Sequence, residues 1–300
     1  MKKIIIGVVI VILVGVGVYF FIQNSSSKSV DITGNGDGAT STDQAGGTPG
    51  IVDKTKTVIG KSAGGRDILA YHYGEGTKEI LLVGGIHGGY EWNTSLVAYE
   101  AMDFLKMNPE AVATGTKVTV IPVLNPDGLA KVISSTGKFG KADVATDQTL
   151  QISGRFNGNN VDLNRNFDCD WQAEATWQDK TVSGGGAVFS EPESKAIKSY
   201  IETHQPVAAI VWYSSAGGVF ASNCHSGVLP ETRTIAKVYG TSSGYKVYEE
   251  FNFYEITGDM TNWLAKEGIP AISVLLTNHT DTEWTKNEAG IKAILNHYAN

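Results

Sequence analysis

The sequence predicts a single α/β domain behind an N-terminal membrane anchor. Three observations carry this: an apolar run behind two lysines, a polar low-complexity stretch, and a long body in which short apolar runs alternate with helix-period segments. Ile4 to Ile22 are 19 consecutive uncharged, mostly apolar residues after Lys2 and Lys3, and a hydrocarbon core needs about 20 such residues. The run ends in Tyr19-Phe20-Phe21-Ile22-Gln23 with no small-residue cleavage site and no following Cys. A signal anchor over 1–23 is therefore expected, with the lysines in the cytoplasm and the body outside, at the cell membrane. Residues 24–50, rich in Ser, Thr, Gly and Asp, read as a flexible tether because they cannot offset their own ordering entropy.

Within the body, 51–300, Ile68–Tyr73 alternates like a half-buried strand, and Ile80–Val83 is a short all-apolar run. Asn93–Leu105 places Leu96, Val97, Ala101, Phe104 and Leu105 at helical spacing. Val118–Leu124 reads as a buried strand closed by the turn Asn125-Pro126-Asp127-Gly128. Ser190-Glu191-Pro192-Glu193 opens a helix to about Thr203, with proline and acids at its positive end. Val207–Tyr213 and Ala271–Leu276 are further buried strands, between helices near Glu231–Tyr239, Asp259–Glu267 and Glu283–Ala299. Such alternation means a mixed or parallel sheet with helices on both faces, so ligands belong at the carboxyl ends of strands.

Composition narrows the function. The 300 residues are 42% hydrophobic and carry 24 Lys+Arg against 31 Asp+Glu, for a net charge of -7. No basic patch stands out, so nucleic acid is not an expected partner. Cys169 and Cys224 are an even pair, open to a disulfide or to two buried thiols. Oligomeric state is not legible.

The strand ends hold the chemistry. Gly84-Gly85-Ile86-His87-Gly88-Gly89-Tyr90-Glu91 follows a strand and offers an imidazole and a carboxylate suited to zinc. Arg155 and the run Val161-Asp162-Leu163-Asn164-Arg165-Asn166-Phe167 offer guanidinium forks suited to a carboxylate.

Together with Phe189-Ser190-Glu191-Pro192-Glu193 and the stretch Tyr254 to Trp263, these segments resemble the zinc metallocarboxypeptidases of the carboxypeptidase A-like type, in order over 55–298. The resemblance implies a three-layer α/β/α sandwich with a mixed, mostly parallel sheet of about eight strands. It implies zinc held by His87 and Glu91, with Asp162 orienting the histidine. Asn164 and Arg165 match the grip on a peptide's terminal carboxylate, Arg155 the oxyanion donor, and Tyr254 the tyrosine that closes over substrate. Thr261 falls at the side-chain specificity position, where a small polar residue argues against strongly basic or large aromatic preference.

The chain departs from that pattern. The family spaces its first ligands His-x-x-Glu; here the spacing is His-x-x-x-Glu. Ser214 stands where the family has its third ligand, a histidine, and Leu275 where it has the general-base glutamate. His225, His279 and Glu283 are candidate substitutes, Glu283 as base. Two functions follow: a zinc peptidase acting on peptide or peptidoglycan stem-peptide C-termini through a remodelled site, or a pseudoenzyme that binds those termini without cutting them.

Overall fold

The computed structural model describes residues 55–135 and 137–299. The expected anchor over 1–23 and tether over 24–50 lie outside these residues. Among the described residues no helix is long and apolar enough to cross a membrane.

Strands β1 (Lys56–Lys61), β2 (Asp67–Tyr73), β3 (Gly76–Val83), β4 (Gly115–Ile121), β7 (Ala208–Ser214), β8 (Gly218–Ala221), β9 (Val247–Tyr248) and β10 (Ala271–Leu276) form one sheet. Its order is β1-β2-β4-β3-β7-β10-β8-β9. The central strands β4, β3, β7 and β10 run parallel, β1, β2 and β8 join antiparallel, and β9 lies parallel to β8. A separate hairpin pairs β5 (Glu174–Trp177) with β6 (Lys180–Ser183).

Alternation along β3 shows how the layers arise. Ile80 and Leu82 face one core, shared with helices α1 (Trp92–Met107), α5 (Pro230–Ser243) and α7 (Trp284–Tyr298). Leu81 and Val83 face the other, shared with α4 (Pro192–His204) and α6 (Met260–Lys266). Both faces are covered, which is why the central strands carry unbroken apolar runs such as Ile80–Val83 in β3 and Ala208–Trp212 in β7. The α/β/α sandwich is thus observed.

Several boundaries differ from expectation. Strand β4 stops at Ile121 because Pro122 cannot donate to a ladder. The expected turn at Asn125–Gly128 is a one-turn helix α2 (Pro126–Leu129), capped by Asn125, whose side chain accepts the Gly128 N–H at 2.8 Å. Helix α3 (Gln148–Ser153), the β5–β6 hairpin, β8 and β9 are short elements without a periodic signal of their own.

Cys169 and Cys224 form a disulfide with Cα atoms 6.0 Å apart. It ties the turn after Phe167 to the segment following β8. Cys169 C=O also accepts the Gly258 N–H, and the Gly258 carbonyl accepts Phe167 N–H, so three chain segments are bound together beside the carboxyl ends of the strands.

Candidate active-site cavity

One cavity at the carboxyl ends of β3, β7 and β10 is lined by His87, Glu91, Arg155, Asn164, Arg165, Tyr254 and Thr261, and also by Ser214, Leu275 and His279. The residues singled out from the sequence are brought together, with three exceptions. Asp162 lies fully buried behind the lining, and Glu283 and His225 lie elsewhere.

The tight turn from Ile86 to Glu91 carries the first pair. Gly88 has φ +44°, and a Cβ there would sit 2.7 to 2.9 Å from the backbone of Leu129, Gly154 and Asn125, so only glycine fits. The turn absorbs the extra residue in the His-x-x-x-Glu spacing: His87 Nδ1 comes within 3.0 Å of Glu91 Oε1. His87 Nε2 lies 3.3 Å from Asp162 Oδ1. Neither imidazole nitrogen is aligned for a hydrogen bond, and Glu91 Oε2 has no partner, although all three atoms are buried.

Asp162 organises the rest. Its Oδ2 receives Nε and Nη2 of Arg155, both at 2.8 Å, and its Oδ1 receives the Asn164 N–H at 3.1 Å. Burial alone would push this carboxyl up; Arg155, His87 and Arg165 override it and hold it far below the usual range. Arg155 is further fixed by Trp177, whose ring lies 4.3 Å from the guanidinium carbon, while Nη1 stands 3.8 Å from Glu91 Oε1.

Arg165 gives Nε to Thr176 C=O at 2.9 Å and Nη1 to Asn164 C=O at 2.7 Å. Its Nη2 is buried without a partner. Asn164 is more heavily committed than expected: its Nδ2 donates to Asp259 at 2.8 Å, and its Oδ1 accepts from Tyr213 Oη and Met260 N. Burial raises the Tyr254 phenol, against the pull of Arg165 and Arg155, so it is a neutral donor at pH 7.

Asp259 is a lining residue that the sequence reading passed over. It caps α6, its Oδ1 accepting Asn262 N–H and Thr261 Oγ1 at 2.8 Å each. The signal was present, since Asp before a helix is an N-cap signature, but capping does not reveal that the same carboxylate also meets a cavity. Thr261 also bonds Ser273 Oγ at 3.0 Å. Trp177, at the end of β5 in the hairpin, forms a wall of the cavity.

The substitutes fare differently. His279 lines the cavity, packs against Tyr90 at 4.6 Å, and keeps a buried, unpartnered Nδ1. Burial, with His87 and Arg155, lowers its pKa, so it is neutral at pH 7. His225 is exposed and pairs with Asp170 at 2.7 Å, away from the cavity.

Glu283 requires a correction. Its backbone is left-handed, φ +48°, which turns the carboxylate back onto Thr277 N–H, Thr277 Oγ1, Tyr245 Oη and Lys286 Nζ at 2.7 to 2.9 Å. Burial would raise this carboxyl, but those four donors bring it down to about 2. A carboxylate so held, outside the cavity, is not placed to take a proton from water there. Glu283→Gln is expected to leave ligand binding within twofold and to lower stability by about 1–2 kcal/mol. Its depressed pKa gives stability that is present above the unfolded value near 4.5 and lost as pH falls through about 2. Calorimetric denaturation beside a binding titration checks both halves.

Zinc is fitted only in part. His87 Nδ1 and Glu91 Oε1, 3.0 Å apart and converging without bonding each other, are arranged as two ligands of one ion would be. A catalytic zinc takes three protein ligands. Ser214 Oγ, in the third place, is a neutral hydroxyl donating to Asn93 at 3.0 Å. Among the described residues, the grouping of three His, Cys or acidic donors within 4.8 Å is Cys169, Cys224 and His225, and its two sulfurs are joined in the disulfide. The donor set of a three-ligand site is therefore incomplete.

The zinc carboxypeptidase family profile matches residues 48–295. The chain belongs to the zinc carboxypeptidase family. Among curated relatives, γ-D-glutamyl-L-diamino acid endopeptidase 1 of Lysinibacillus sphaericus is 24% identical over 218 residues, covering 66% of this chain and 54% of the relative. The catalytic chain of human carboxypeptidase N is 28% identical over 184 residues, covering 57% and 37%. The chain thus spans about half or less of the length of these relatives. In fold it resembles murein-tripeptide amidase MpaA of Escherichia coli O157 (TM-score 0.54, 18% identity, 82% of this chain and 92% of that one). It also resembles carboxypeptidase A of Helicoverpa armigera (TM-score 0.60, 18% identity, 82% and 67%).

Proposed function

We propose that this zinc carboxypeptidase homologue recognises the C-terminal carboxylate of peptides, cell-wall stem peptides among them, without cutting them by the family's metal route. One observation carries the reading: a cavity that presents the buried, unpartnered Nη2 of Arg165 has Ser214 and Leu275 where the family has its third ligand and its base. Arg165 supplies charge and direction for a carboxylate, and Tyr254 a neutral hydroxyl beside it. A leucine takes no proton from water. The stem-peptide class is suggested by the substrates named for the Lysinibacillus relative and for the murein amidase. We place the domain outside the cell membrane on the 1–23 anchor, which the Cys169–Cys224 disulfide supports, because such bonds persist in oxidising compartments.

The test is calorimetric titration of the full-length chain in detergent with an N-acetylated stem peptide and its C-terminal amide. The free acid is expected to bind at least about 30-fold more tightly, the scale of one buried charge-assisted contact, and Arg165→Ala to erase the difference. Equal binding of acid and amide by the native protein overturns the proposal. A second reading, a zinc hydrolase, would need His279, which lines the same cavity with an unpartnered Nδ1, to swing toward His87 and Glu91 as the third ligand. Zinc-dependent release of the terminal residue during the same titration would put that reading first.

A further inference from the structure

The cavity holds more unsatisfied polar atoms than a terminal carboxylate can meet. Arg165 Nη2 offers a donor, whereas Glu91 Oε2 can only accept. His87 Nδ1 stands 3.0 Å from Glu91 Oε1 with no hydrogen bond aligned between them, and Arg155 Nη1, at 3.8 Å, reaches that same oxygen rather than Oε2. A dication would need a third strong ligand, which is missing here, while an ammonium asks only for acceptors.

Charge leads to the same chemistry. Glu91, Asp162 and Asp259 against Arg155 and Arg165 leave the cavity and its support at net -1. A ligand bringing only a carboxylate deepens this to -2, whereas one that also brings an ammonium leaves it unchanged.

We propose that the ligand is a short zwitterionic peptide: its carboxylate pairs with Arg165, and its free ammonium is received by Glu91 beside His87, where relatives hold metal. This rests on the carboxylate-recognition reading above and names the other end of the ligand. The ammonium supplies three N–H donors and one positive charge, which suits a half-satisfied carboxylate beside a buried imidazole. Unlike a metal site it needs no fixed coordination geometry, so Ser214 is no handicap to it.

The experiment is calorimetric titration of the full-length chain, without added metal, with alanylalanine in each stereoisomer, its N-acetyl derivative and its C-terminal amide. The preferred free dipeptide is expected to bind at least about tenfold more tightly than its N-acetyl form, a gap that Glu91→Gln closes without weakening the N-acetyl ligand. Should Glu91→Gln fail to fold, His87→Ala gives the second variant and the native comparison still decides. N-acetyl binding equal to or tighter than that of the free dipeptide overturns the ammonium assignment while leaving carboxylate recognition standing. An amide that binds as well as the acid removes carboxylate recognition, and this proposal with it.

Discussion

Replacing Asp162 by alanine is expected to destabilise the folded chain by about 3–5 kcal/mol, the largest effect of any single substitution in the cavity. The carboxylate is fully buried, and Arg155, 2% exposed, spends two of its nitrogens on it at 2.8 Å. Truncation leaves a guanidinium charge inside the protein with Glu91 as its nearest acid, at 3.8 Å. Removing one member of a buried pair is far worse than never having had the pair, because the survivor stays desolvated. Denaturant titration reads the loss directly. Acid gives an independent check. Asp162 has its carboxyl held far below the value of 3.8 expected for an unfolded chain, so its stabilisation is complete above that value and drains away as pH falls below it. The alanine variant should lack this acid-sensitive component. Equal stability of variant and native chain across pH 3–7 would show that Arg155 finds another partner.

Ser214→His, by contrast, is expected to create a property. With a second imidazole as third donor beside His87 and Glu91, zinc retention should rise on the order of 100-fold or more, as a two-donor site becomes a three-donor one. Tyr213 and Ser214 lie directly beside Leu275 and Leu276 in the β7–β10 pairing, so Leu275→Glu places a carboxylate on the neighbouring strand. The double variant is expected to release a terminal residue from peptides that the native chain leaves intact. Elemental analysis after dialysis and a peptide-release assay measure the two gains. If Ser214→His leaves zinc retention unchanged, the approach of His87 to Glu91 is not a metal geometry, and the unpartnered atoms need a different account.

How far such a site is legible depends on how local its causes are. The cluster Asp162-Leu163-Asn164-Arg165 could be placed from sequence because one short 3-10 turn delivers all of it, each residue within reach of the next. The doubly covered strands were equally legible, since burial on both faces leaves an unbroken apolar run. Glu283 was misplaced as a base because it follows the end of β10, where the cavity lies, whereas a single residue at φ +48° turns the carboxylate back on Thr277 and Tyr245. Nothing in neighbouring residues announces that reversal. Asp259 was overlooked for the opposite reason: its local role as a cap is complete, and its exposure to the cavity depends on Asn164, 95 positions away. Four-residue strands such as β5, β6 and β8 are too short to establish a period and exist because partners are supplied by the rest of the chain.

The Cys169–Cys224 bond couples address to fold. It closes a loop of 55 residues that contains the β5–β6 hairpin, α4 and β7, and so much of the cavity wall. In the chain-entropy description, closing a loop of that length is worth about 4 kcal/mol. Whole domains are stable by only about 5–15 kcal/mol. A copy stranded in a reducing compartment would forgo about a quarter or more of its margin and present a loosened chain to proteases, whereas an exported copy would be locked once oxidised. Under the proposed export, oxidation after delivery would complete maturation, and misrouted molecules would be the ones most readily cleared.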